Sequence, residues 1–94
     1  MINEESVNIL ETLAVKRLKL IREEKNISQL ELSLASGVSQ NMITYIETGK
    51  RTPTLHTLIK LCLALDISPE KLFENDMEKE EAKKNVLKII QKYM

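Results

Sequence analysis

Residues 28–51 read Ser-Gln-Leu-Glu-Leu-Ser-Leu-Ala-Ser-Gly-Val-Ser-Gln-Asn-Met-Ile-Thr-Tyr-Ile-Glu-Thr-Gly-Lys-Arg, and their punctuation decides the fold. Ser28 precedes Glu31 by three positions, the spacing at which a hydroxyl and a carboxylate cap a helix start reciprocally. Gly37 ends that helix, because only glycine takes the positive φ of a sharp turn without steric cost. Ser39 then caps a second helix that runs to Thr48-Gly49. Apolar staples frame both starts, Ile27 toward Leu32 and Val38 toward Ile43.

Two capped helices of about two turns each, joined by a glycine turn, match the helix-turn-helix unit. Its second helix carries Gln40, Asn41, Thr44 and Tyr45 on one side and Met42, Ile43 and Ile46 on others. One face is therefore packed and another is offered to a polar partner. A duplex with a major groove suits such a face. Gln and Asn can pair bidentately with adenine N6 and N7, while a Thr methyl or a Tyr ring can cover a thymine methyl. The plainer alternative is a solvated amide face, common on surface helices. Gln29 opens the first helix, where unpaired backbone N–H groups favour a phosphate. Lys50, Arg51 and Thr52 follow the second helix as a basic loop, placed to contact phosphate.

Outward from this stretch, residues 4–25 space Val7, Leu10, Ala14, Leu18 and Ile21 at threes and fours, a helical period. Asn3 is an N-cap candidate and Asn26 a left-handed terminator, with one helix or two joined near Thr12 left open. Pro53 blocks helical continuation, and Thr54 caps a fourth helix. That helix, with Leu55, Leu58, Ile59, Leu61, Cys62, Leu63 and Leu65, is apolar almost all round and is expected at the bundle centre. Ser68-Pro69 opens a short fifth helix, and Phe73 is expected to close the core. From residue 75 onward, acids lie early and lysines late, and Ala82, Val86, Ile89, Ile90 and Tyr93 form an apolar stripe. That pattern predicts an amphipathic C-terminal helix.

The totals agree with an all-α chain of 94 residues: two Gly, two Pro and three aromatics leave little for a sheet. So short a chain makes one small helical core and no deep catalytic cleft. A single cysteine excludes an internal disulfide framework. No apolar run reaches a membrane span, and the start lacks a basic signal region, so a cytoplasmic protein with no membrane partner is expected. Fourteen Lys plus Arg balance fourteen Asp plus Glu, so any basic surface must be local. Residues 14–25 supply one such region, with five bases against two acids.

Residues 14–73 resemble the phage repressor/Cro-type (XRE) helix-turn-helix domain. The resemblance is carried by Leu18, Ile21, Arg22, Ser28, Gln29, Leu32, Gly37, Val38, Ser39, Ile43, Ile46, Glu47, Gly49, Lys50, Arg51, Pro53, Leu58, Leu61, Leu65, Leu72 and Phe73. It implies a five-helix bundle; residues 1–13, read as an N-terminal helical extension, and residues 74–94, read as an added amphipathic helix for packing or dimerisation, fall outside it. It implies base contacts from Ser39, Gln40, Asn41, Thr44 and Tyr45, and phosphate contacts from Gln29, Lys50, Arg51 and Thr52. It also implies a shielded ion pair between Arg22 and Glu47 that holds the reading helix at its angle. Ser33 and Ser36 depart from the family's usual Ala and aliphatic, and Leu20, Leu30 and Leu34 stand where it is often polar.

That surplus of apolar side chains points to a homodimer joined through the terminal helices, reading an inverted repeat on double-stranded DNA. The expected function is a transcriptional regulator, in particular a repressor. The alternative is a protein-interaction module, such as an antitoxin, with the terminal helices as its surface. Cys62 sits at core spacing and His56 lacks a second ligand, so neither suggests a metal site or cofactor. No triad, Gly-rich phosphate loop or cysteine cluster supports catalysis.

Overall fold

A computed structural model describes residues 2–74. The predicted C-terminal helix lies outside them. The described chain is all-helical: α1 (Glu4–Glu24), α2 (Gln29–Ser36), α3 (Gln40–Glu47), α4 (Leu55–Ala64) and a 3₁₀ helix at Pro69–Leu72. The fifth helix expected near Ser68 is thus a single tight turn of four residues, not an α-helix. Pro69 occupies its first turn, and the Ser68 side chain makes no capping hydrogen bond. Helix α1 is continuous through Thr12, so the N-terminal extension and the first helix of the expected bundle are one rod.

The starts and stops follow local chemistry. The Asn3 Oδ1 accepts from the Glu5 and Ser6 N–H groups. Ser28 and Glu31 form the reciprocal cap: Glu31 N–H donates to Ser28 Oγ, and Ser28 N–H donates to Glu31 Oε1, both at 2.9 Å. The Ser39 and Thr54 hydroxyls accept from the Met42 and Thr57 N–H groups, each at 3.1 Å. Three helices end in one pattern, with a left-handed residue just past the cap: Asn26, Gly49 and Asp66. In each, the N–H of the following residue reaches back to a carbonyl in the last turn: Ile27 to Arg22, Lys50 to Tyr45, and Ile67 to Cys62.

The core gathers one face from every element. Ala14, Leu18, Leu32, Val38, Ile43, Ile46, Leu61, Cys62, Leu65 and Leu72 form it. Helix α2 packs on α3 and α4, and α1 closes the other side against α3 and the 3₁₀ turn. Two expectations fail here. Helix α4 buries only Leu61 and Cys62 fully, leaving Leu55 at 72% and Leu63 at 69% exposure. Phe73 is 58% exposed and does not close the core, since the 3₁₀ turn inserts Leu72 instead. A four-residue turn presents one side inward, and Leu72 occupies it.

Candidate nucleic-acid interface

Helix α3 lies with Ile43 and Ile46 in the core, which turns Gln40, Asn41 and Tyr45 outward. Among the described residues, neither amide has a side-chain hydrogen-bond partner, so their donors and acceptors face solvent. Ser39 is exposed, but its hydroxyl already serves the helix start. Thr44 is half-buried and donates toward Gln29 Oε1 at 2.9 Å, with the Gln40 carbonyl as a second acceptor at 3.1 Å.

Behind that outward face stands a charged clamp. Arg22 Nε donates to Glu47 Oε2 at 2.7 Å, and Arg22 Nη2 donates to Glu47 Oε1 at 2.9 Å. Arg22 Nη1 donates to the Ile27 carbonyl at 2.7 Å, fixing the link between α1 and α2. Gln29 Nε2 adds a third donor to the carboxylate at 2.9 Å. The two charged side chains retain only 10% and 2% exposure. Hydrogen bonding to Glu47 raises the Arg22 pKa against the opposing pull of burial, so the guanidinium stays charged at any working pH. A fork-to-fork pair of this kind fixes direction as well as distance, tying α3 to α1.

After α3, the chain turns at Gly49, whose φ is +81°, and both the Lys50 and Arg51 N–H groups donate to the Tyr45 carbonyl, at 2.8 and 3.1 Å. Their cations lie 5.8 and 5.9 Å from the Tyr45 ring centroid. One aromatic ring and two cations therefore form a single exposed cluster at the C-terminal end of α3. Thr52 is exposed beside it.

The sequence-predicted residues thus fall into two groups. Ser39, Gln40, Asn41, Tyr45, Lys50, Arg51 and Thr52 share the exposed surface of α3 and its flanks, while Arg22, Gln29, Thr44 and Glu47 are linked beneath it. The link from Gln29 to both Thr44 and Glu47 was not legible, because the three residues lie on two helices whose crossing the sequence does not specify. His56 is exposed at the start of α4, and no group of three or more His, Cys, Asp or Glu among the described residues could hold a metal ion. No helix there is long and apolar enough to cross a membrane.

The Helix-turn-helix family profile matches residues 18–72. The chain belongs to the helix-turn-helix family. Its similar proteins include an uncharacterized HTH-type transcriptional regulator of Haemophilus influenzae, 42% identical over 65 residues, covering 67% of this chain and 66% of that protein. The regulator y4dJ of Sinorhizobium fredii is 42% identical over 48 residues, covering 51% of this chain and 62% of its own. The match to these relatives therefore spans less than two thirds of their length. Among solved structures, the restriction-modification controller protein C.AhdI from Aeromonas hydrophila superposes with a TM-score of 0.63 at 35% identity. That helix-turn-helix match covers 70% of this chain and 98% of the controller.

Proposed function

We propose that the chain is a sequence-specific DNA-binding transcriptional regulator, acting as a repressor that binds an inverted-repeat operator as a dimer. The observation that carries this reading is the outward face of α3, where Gln40 and Asn41 stand with unpaired amides beside the Tyr45, Lys50 and Arg51 cluster. Amides supply base recognition and the loop cations supply phosphate contact. The family and the regulator names of the relatives support DNA as the partner. The similarity to a restriction-modification controller protein supports a regulatory role for this fold.

Balanced charge makes one copy a weak electrostatic binder, which favours two. Ile9, Leu13 and Leu20 follow an outer stripe along α1, separate from its buried face, and give a second copy apolar surface to cover. The terminal segments are the proposed junction. A protein-interaction role, as in an antitoxin, is the second reading. It is favoured by zero net charge together with the exposed Leu30, Leu34, Leu55 and Leu63.

Selection of bound duplexes from a random pool tests the leading reading. The wild type is expected to enrich a palindrome that Gln40→Ala/Asn41→Ala no longer enriches. No enriched site at low salt would overturn it.

A further inference from the structure

We propose that Glu47, acting through Gln29, sets the hydrogen-bond polarity of Thr44, so that Thr44 meets an exocyclic amine of DNA rather than an exocyclic oxygen. The inference rests on the DNA-reading function proposed above. It assigns a specificity role to two residues that need not touch a base.

The argument starts at the ion pair. The Glu47 carboxylate accepts from Arg22 through both oxygens and has no proton to give. The end of the Gln29 amide that faces it at 2.9 Å must therefore be the NH₂ group. The flipped amide would hold two oxygens at that distance with no hydrogen between them. With its NH₂ committed, Gln29 turns Oε1 to Thr44 Oγ1 at 2.9 Å. An amide oxygen only accepts, so the Thr44 hydroxyl donates. Its second possible acceptor, the Gln40 carbonyl at 3.1 Å, also draws the proton inward.

What Thr44 can then present outward is an oxygen lone pair and a methyl group. In the major groove, the matching donors are adenine N6 and cytosine N4, whereas guanine O6 and thymine O4 would meet lone pair with lone pair. Charge at Glu47 thereby reaches the groove as a donor/acceptor choice, through one amide and one hydroxyl. Replacing Gln29 by Met removes the relay, because it takes away the amide oxygen that receives the Thr44 proton. Glu47 itself is a poor place to break the relay, because its Oε1 accepts from both Arg22 Nη2 and Gln29 Nε2, and an amide NH₂ there would oppose one donor with another. In Gln29→Met, the Gln40 carbonyl is the one acceptor left to the hydroxyl within the network, so the proton is held less firmly and can turn outward.

The test uses the palindrome selected by the full-length protein. Thr44→Val keeps the shape but removes the hydroxyl, and so marks the base position Thr44 reads. At that position, one set of duplexes carries bases lacking the amine: unsubstituted purine for adenine, or 2-pyrimidinone for cytosine. A second set lacks the oxygen: 2-aminopurine for guanine, or 5-methyl-2-pyrimidinone for thymine. Loss of the amine is expected to weaken the wild type about fivefold and to leave Thr44→Val unchanged, while loss of the oxygen changes neither. Gln29→Met is expected to respond less to loss of the amine than the wild type does, a readout that mere loosening of α3, which weakens all duplexes alike, would not produce. An unchanged preference in Gln29→Met overturns the relay. Sensitivity of the wild type to the oxygen, or to neither group, overturns the inference. If Gln29→Met fails to fold, as a thermal melt would reveal, the comparison of wild type with Thr44→Val decides alone. Absence of any selected duplex is a different failure, which removes the DNA-reading function itself.

Discussion

At the scale of single residues, Arg22 and Glu47 carry the heaviest consequence. Their exposures of 10% and 2% mean that either charge, left alone, stays out of water. Arg22→Ala or Glu47→Ala is expected to cost about 3 kcal/mol or more in urea unfolding. The double change Arg22→Met/Glu47→Leu is expected to cost much less than the sum of the two, because it strands no charge. Glu31 gives the titratable counterpart. The Ser28 N–H and hydroxyl hold its carboxyl below the ordinary glutamate range. A lowered folded pKa means that the cap's contribution is present above the unfolded value of about 4.3 and is lost as pH falls through the lower folded value. Ser28→Ala is expected to flatten that acid limb, as seen in melting temperature against pH. Cys62 behaves oppositely, since burial raises its thiol pKa. Its stabilising effect is full below about pH 8.5 and declines as pH rises, and a thiol reagent is expected to label it only at the rate of unfolding.

At the scale of elements, the helix ends were legible and the burial of helix faces was less so. Ser28, Ser39, Thr54 and Asn3 each cap where their spacing predicts, since capping is a contact within a few residues. Gly37 and Gly49 both take positive φ, with open space where a Cβ would sit. Gly49→Ala is therefore expected to cost about 1–2 kcal/mol from backbone strain alone, measurable as a lower urea midpoint at unchanged slope. Asp66, the third left-handed terminator, was missed because no glycine or asparagine marks it. Helix α4 shows why composition misleads about burial. Its leucines surround the helix, but α2 and the 3₁₀ turn cover only part of it, so Leu55 and Leu63 remain outside. Likewise, the candidate site was legible as a set of residue types, because α3 alone fixes its outer face. The coupling of Gln29 to Thr44 needed the angle between two helices.

At the scale of the whole molecule, charge and apolar surface set the expectations. With fourteen bases against fourteen acids, long-range attraction to a polyanion is small, and short-range loop contacts must carry the salt dependence. Lys50→Ala is expected to weaken all sequences similarly and to lower the salt slope by about one. The proposed dimer junction ties the oligomeric state to the ends of the chain. Deleting residues 77–94 is expected to shift a micromolar dimer toward monomer in light scattering. An unchanged monomeric mass for both forms would overturn the terminal junction. The Tyr45 carbonyl adds a thermodynamic consequence at this scale. Because it already receives the Lys50 and Arg51 N–H groups, the loop backbone is folded beforehand, and the proposed phosphate contacts would cost little further backbone ordering. Calorimetry of operator binding should then show a heat-capacity change that matches rigid docking, with no excess from coupled folding of this loop.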